Sequence, residues 1–160
     1  MRIAVVTSSL HLGLLFRRHA GAAGSPRYHR PMRIVRSSDA PVGPVDPATF
    51  LGRATVQRLA HDETGVPVGV YRVTFSDGGR TNWHKHSGPQ WLFVVEGRVR
   101  VQVDGGDFHD LDAGDAVVVA PGERHWHGAV PGSAGTHIAV NVDAATTWLE
   151  PVSDEEYAAE

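Results

Sequence analysis

Gly78-Gly79-Arg80-Thr81-Asn82-Trp83-His84-Lys85-His86-Ser87-Gly88-Pro89-Gln90 is the stretch on which the reading of the fold turns. Residues two apart on a strand point to the same face, so His84 and His86 project together. Two imidazoles side by side on an inner face are costly unless something binds them. A divalent metal does so, at roughly 2.0–2.2 Å from each nitrogen. Gln90 follows a Ser87-Gly88-Pro89 turn and is within reach of the same point. A second segment, Gly114 followed by Pro121-Gly122-Glu123-Arg124-His125-Trp126-His127, repeats the His-x-His pattern, and a later strand contains His137.

The flanking sequence reads as short strands. Tyr71, Val73 and Phe75 alternate with Arg72 and Thr74, the period of a half-buried strand. Trp91 to Val95 is a short apolar run, and Val99, Val101 and Val103 alternate with Arg98, Arg100 and Gln102. Asp104-Gly105-Gly106-Asp107 supplies a hairpin turn. Ala116 to Ala120 and His137 to Val142 are two further strands, and Ser37 to Pro47, rich in turn formers, is an extended lead-in. No long segment repeats at helical spacing. The expectation is an all-β chain, an antiparallel sandwich or barrel. Ser153 and Glu156 have capping-box spacing with acids in the first turn, which predicts one short C-terminal helix.

Composition removes several classes of function. The 160 residues suit one domain, with 41% hydrophobic and 21% charged residues. Cysteine is absent, which excludes disulfides, iron–sulfur clusters and thiol nucleophiles and leaves nitrogen and oxygen to hold any metal. A net charge of −3 and the lack of a visible DNA-binding helix pair argue against a nucleic-acid partner. Residues 1–31 carry five arginines and no acid, whereas residues 32–160 carry a net −8. The apolar run from Ile3 to Phe16 is too short to span a membrane, and Arg17-Arg18 follows it where an export signal would put charge first. Residues 1–31 are therefore read as an extension or an upstream start, with the domain at residues 32–160, no membrane partner and a cytoplasmic location. His11, His19, His29, His61 and His109 read as ordinary surface or core residues.

With these residues in place, the chain resembles the cupins, small β-barrels that hold a metal inside the barrel. Gly78, His84, His86, Gln90 and Gly97 match the spacing of their first motif, with Gln90 where glutamate is usual. Gly114, Gly122 and His125 match the second, with Ala120 and Ala129 replacing its proline and asparagine. The resemblance covers residues 66–142 and implies a single jelly-roll (double-stranded β-helix) barrel. A narrower resemblance, to manganese cupins of the (R)-mandelonitrile lyase type, rests on Arg80-Thr81-x-Trp83-His84-x-His86, Gln90, Pro121 to Ala129, Thr136-His137 and the tail Trp148 to Tyr157. It implies His84, His86, Gln90 and His125 as metal ligands and His137 as the catalytic base, with His127 lining the same cavity. The chain departs from that group at Ser87-Gly88-Pro89 and at Trp91, beside the metal site.

Three neutral histidines and a neutral amide leave a divalent ion its full charge, which favours Lewis-acid chemistry over oxygen activation. The expected reaction is lyase-type, on a small hydroxy or carbonyl compound, with His137 moving the proton. An Fe-dependent dioxygenase and a non-catalytic small-molecule or metal-binding cupin are the alternatives. Manganese is the metal the resemblance implies, and the donor set also suits iron, nickel, cobalt or zinc. Trp83, Lys85 and Trp126 have opposite parity to the ligands and are expected to face away from the metal, the aromatics against a second sheet or a partner chain in a homodimer or homotetramer.

Overall fold

The computed structural model describes residues 32–62 and 65–159; residues 1–31, with His11, His19 and His29, lie outside the described residues. A 3-10 turn at Ser37–Asp39 leads into β1 (Val42–Pro44), β2 (Phe50–Leu51), β3 (Ala54–Asp62), β4 (Val68–Phe75), β5 (Arg80–Thr81) and β6 (His84–His86). Then follow β7 (Gln90–Val103), β8 (Phe108–Asp112), β9 (Ala116–Val119), β10 (His125–Ala129), β11 (Gly135–Val142), β12 (Thr146–Trp148) and a terminal helix α1 (Asp154–Ala158). The strands join in one curled sheet in the order β1-β3-β4-β11-β7-β10-β5-β2, every pairing antiparallel. Strand β6 docks between β10 and β12. The all-β expectation and the short C-terminal helix are both met.

Strand β7 joins the two faces of the barrel. The expected runs before and after Glu96 form one strand of 14 residues. Its first half pairs with β11 and β9, its second half with β8 and β10. The change of partners falls at Gly97, whose φ of +64° favours glycine and where a Cβ would collide with the carbonyl of Ala134. Glycine there lets one strand serve both faces.

The lead-in is more ordered than expected, since β1 pairs with β3. Strand β3 itself was not foreseen. Its register shifts between Arg58 and Ala60, so apolar residues change parity in mid-strand and the alternation that marks a strand is lost.

The tail corrects another expectation. Trp83 and Trp126 do face away from the histidines, but their cover is this chain's own C-terminus, not a second sheet or a partner. They are 4% and 0% exposed and pack with Val152 and Tyr157, with Leu149 alongside. Ser153 accepts from the amide of Glu156, whose carboxylate accepts from the amide of Ser153, closing the capping box that starts α1. Two buried arginines hold the segment down. Arg80 donates to the Val152 carbonyl at 2.9 Å and to Asp154 at 2.6 Å, and Arg100 donates to the carbonyls of Tyr157 and Ala159 at 3.1 and 2.8 Å. The back of β10 is thereby sealed.

Candidate metal centre

Strands β6 and β10 lie antiparallel with His84 opposite His125, and β12 pairs on the other side with Trp148 opposite His84 and Thr146 opposite His86. Alternation then sends His84, His86, His125 and His127 to the interior while Lys85 stays exposed. Gln90 opens β7 and faces inward beside them, at 3% exposure. The turn at Pro121-Gly122 is tied to the first ligand strand by the Gly122 amide, which donates to the His86 carbonyl at 2.8 Å. Gly122 takes a φ of +82°, a conformation glycine adopts without strain.

The five buried histidines form a continuous cluster. Ring centroids are 4.2 Å apart for His84 and His125, 5.1 Å for His84 and His86, 5.4 Å for His86 and His125, and 4.7 Å for His127 and His137. Candidate ligand atoms of His84, His125 and His127 all lie within 4.8 Å of one another. Two of the four ligands implied by the resemblance, His84 and His125, belong to this trio, and His86 and Gln90 adjoin it. His127 has a second engagement, since its Nδ1 lies 3.1 Å from Nε2 of His137.

Hydrogen bonds orient the rings. Nδ1 of His84 is 2.9 Å from the Asn82 carbonyl, and Nδ1 of His125 is 2.9 Å from the Glu123 carbonyl. A carbonyl only accepts, so both Nδ1 atoms carry the proton and both Nε2 atoms of the neutral rings present lone pairs. The third ring, His86, has Nδ1 at 3.0 Å from the Thr146 hydroxyl, and its buried Nε2 has no hydrogen-bond partner. Gln90 donates through Nε2 to Asn141 at 2.9 Å, which aims its Oε1 at Nε2 of His125, 3.1 Å away. Lone pair therefore faces lone pair in a buried site. That arrangement is unfavourable unless a cation lies between them, and it fits a divalent metal.

Burial also keeps the rings neutral. Desolvation, helped by repulsion from His125, holds His84 well below the ordinary histidine value and His86 at about 4. Desolvation lowers His125 as well, against the opposing pull of its bond to the Glu123 carbonyl. It holds His127 well below the usual range and pushes His137 down to about 3, so His137 departs from the near-neutral value of a free imidazole.

A cavity of about 290 Å³ opens onto His84, His86, Gln90, His127 and His137. Its other walls include Pro44, Val45, Asp46, Phe50, Tyr71, Asn141 and Trp148, and among the described residues no arginine or lysine lines it. Trp148 stands 4.8 Å from His84 and 5.7 Å from Phe50, ring to ring, and is 39% exposed at the rim. Sequence reasoning missed most of these walls. Asn141 was open to inference, since it shares strand parity with His137. Phe50, Thr146 and Trp148 come from short strands that have no periodicity of their own. Glu123 belongs to the turn, accepting from the Ala120 amide at 2.7 Å. Arg124 stacks over Trp83 at 4.3 Å and pairs with Asp104 and Glu150. His61 and His109 are exposed.

A β-barrel with a histidine-rich, metal-competent interior defines a class of small metal-binding barrel proteins. The chain belongs to the cupin family: the cupin domain matches residues 71–141, and an (R)-mandelonitrile lyase from Granulicella tundricola is 40% identical over 72% of this chain and 88% of its own length. Among solved structures, a cupin-like protein from Thermotoga maritima is 36% identical with a TM-score of 0.65, covering 77% of this chain and 89% of that one. The polyketide cyclase RemF from Streptomyces resistomycificus is 21% identical with a TM-score of 0.62, covering 79% of this chain and 91% of that one, and shares the fold. No helix among the described residues is long and apolar enough to cross a membrane.

Proposed function

We propose that this cupin is a metal-dependent lyase acting on a small, uncharged hydroxy or carbonyl compound, with cleavage of a cyanohydrin to an aldehyde and cyanide as the test reaction. The observation that carries the metal is the pair of facing acceptors, Nε2 of His125 and Oε1 of Gln90, 3.1 Å apart. His84, His86, Gln90 and His125 hold the ion, manganese by the resemblance to the (R)-mandelonitrile lyase. When bound, a divalent ion polarises a substrate oxygen and eases loss of its proton.

The remaining roles fall to the protein. His137, neutral at pH 7 and bonded to His127, takes the hydroxyl proton. The carbon–carbon bond to the nitrile breaks, its electron pair leaves with cyanide, and the proton returns so that hydrogen cyanide departs. Much of the wall is apolar, and with Asp46 in the lining and no arginine or lysine, no side chain there adds to the ion's attraction for a carboxylate or phosphate.

A second copy of the chain is the partner we propose, in a homodimer or homotetramer. The outer face beside the barrel carries Phe93, Val95 and Val118, exposed by 43%, 49% and 56%, next to Trp91, Ile138 and Val140 on neighbouring positions. None of the six is ionised, so a two-fold contact sets apolar side chains together and opposes no like charges.

The test is elemental analysis of the untagged chain, followed by cyanohydrin cleavage and oxygen-uptake assays side by side. About one divalent ion per chain with cleavage supports the proposal. Oxygen uptake without cleavage makes it a dioxygenase, and ligand retention without turnover a binding protein.

A further inference from the structure

Two of the four ligands named above are oriented by one short segment that supplies none of the four. The chain passes Asn141, leaves β11 at Val142, turns through residues 143–145 and enters β12 at Thr146. Asn141 accepts the Gln90 amide at 2.9 Å, which leaves Oε1 of Gln90 facing the histidines. Thr146 holds Nδ1 of His86 at 3.0 Å, which leaves Nε2 of His86 free and inward. His84 and His125 are held differently, each by the backbone carbonyl two residues earlier in the chain, just before its strand begins. Those anchors are built into the local backbone. The anchors of His86 and Gln90 are side chains from a distant part of the sequence.

The turn is fastened to the ligand loop at several points. Ser87 donates through its amide to the Ala145 carbonyl at 3.0 Å and through its hydroxyl to the Asp143 carbonyl at 3.2 Å, and the Val142 amide donates to the Pro89 carbonyl at 3.2 Å. Asp143 takes a left-handed φ of +48°, which these contacts and its amide bond to the Pro67 carbonyl at 2.7 Å stabilise.

We propose that the β11–β12 turn is a clasp whose Asn141 and Thr146 are positioning residues, setting the amide of Gln90 and the tautomer of His86 for a divalent ion. With Thr146 accepting, the His86 proton sits on Nδ1 and Nε2 is the donor atom for the metal. With Asn141 accepting, the NH₂ group of Gln90 is drawn away from the histidines and Oε1 is the atom presented to them. This inference rests on the metal site proposed above.

The test is the dissociation constant for Mn²⁺ and Zn²⁺, measured on the chelator-stripped full chain by competition with a metal-binding dye. Thr146→Val and Asn141→Leu are each expected to weaken binding about 10- to 100-fold, the usual effect of losing an outer hydrogen bond to a ligand. Thr146→Ser restores it, because the serine hydroxyl reaches the same nitrogen. Melting temperatures of the stripped variants serve as the control. Co²⁺-loaded Asn141→Leu is expected to shift the visible absorption bands, since the Gln90 oxygen is no longer held. If Thr146→Val folds poorly, Thr146→Ala takes its place. Wild-type affinity in both variants, with one ion still bound by the wild type, overturns the clasp and leaves the metal site standing. A wild type that binds no ion overturns both.

Discussion

His127 and His137 share a single proton across 3.1 Å, with Nδ1 of one ring facing Nε2 of the other in a fully buried position. Their far nitrogens, Nε2 of His127 and Nδ1 of His137, have no partner. A buried pair with two open nitrogens is a proton-handling arrangement, because one outer nitrogen carries the pair's second proton and the other offers a lone pair. Packing of Phe75 against both rings, at 5.9 and 5.5 Å between centroids, fixes them and keeps water out.

His137→Ala is expected to keep its metal and lose activity by about 10²-fold or more, the contribution of a positioned base. Elemental analysis and steady-state kinetics on the same preparation check this. Loss of the metal would instead make His137 a ligand.

Gln90→Glu adds a negative charge to a neutral donor set. Metal affinity is expected to rise and turnover to fall, because an anionic ligand lowers the ion's power to polarise oxygen. A dye-competition titration with initial rates tests both halves. Higher affinity with undiminished turnover would count against the Lewis-acid role.

Acid is expected to destabilise the metal-free chain in a defined window. Burial holds the five clustered histidines below their ordinary value, His86 at about 4 and His137 at about 3. Below about pH 6.5 the unfolded chain binds protons that the folded chain still refuses. Stability present above pH 6.5 is therefore lost progressively as pH falls toward 4. Thermal melts of chelator-treated protein across that range check the slope, and a flat profile would contradict it.

Trp126→Ala is expected to cost about 3–5 kcal/mol, the range for truncating a buried tryptophan. The residue is completely buried, its indole donates to Gln102 at 2.9 Å, and its ring meets Tyr157 at 6.0 Å. Because it lies between His125 and His127, metal affinity should fall as well. Urea unfolding with and without metal separates the two effects.

Phe93→Glu places a charge at the centre of the exposed apolar face. The assembly is expected to become a monomer in solution with its thermal stability little changed, as read by light scattering after gel filtration. A wild type that is already monomeric at micromolar concentration removes the proposed partner.

Residue identity alone carried the main outline. His84 and His86 at strand spacing, the second His-x-His pair and the hairpin turn at Asp104 to Asp107 specify a β-barrel with imidazoles inside, because alternation is a local property of extended backbone. The capping box at Ser153 and Glu156 was legible for the same reason. What the tertiary structure decided was everything set by contacts distant in sequence. Strand β3 escaped notice because its bulge breaks the alternation, and β7 read as two strands because Gly97 masks its continuity. The cover over Trp83 and Trp126 depends on where the tail lands, which Arg80 and Arg100 determine from 72 and 57 or more residues away. The orientation of His86 and Gln90 depends on Thr146 and Asn141, separated from them by 60 and 51 positions. Local pattern specifies which face a side chain occupies; only the closed barrel brings the partner that fixes its proton.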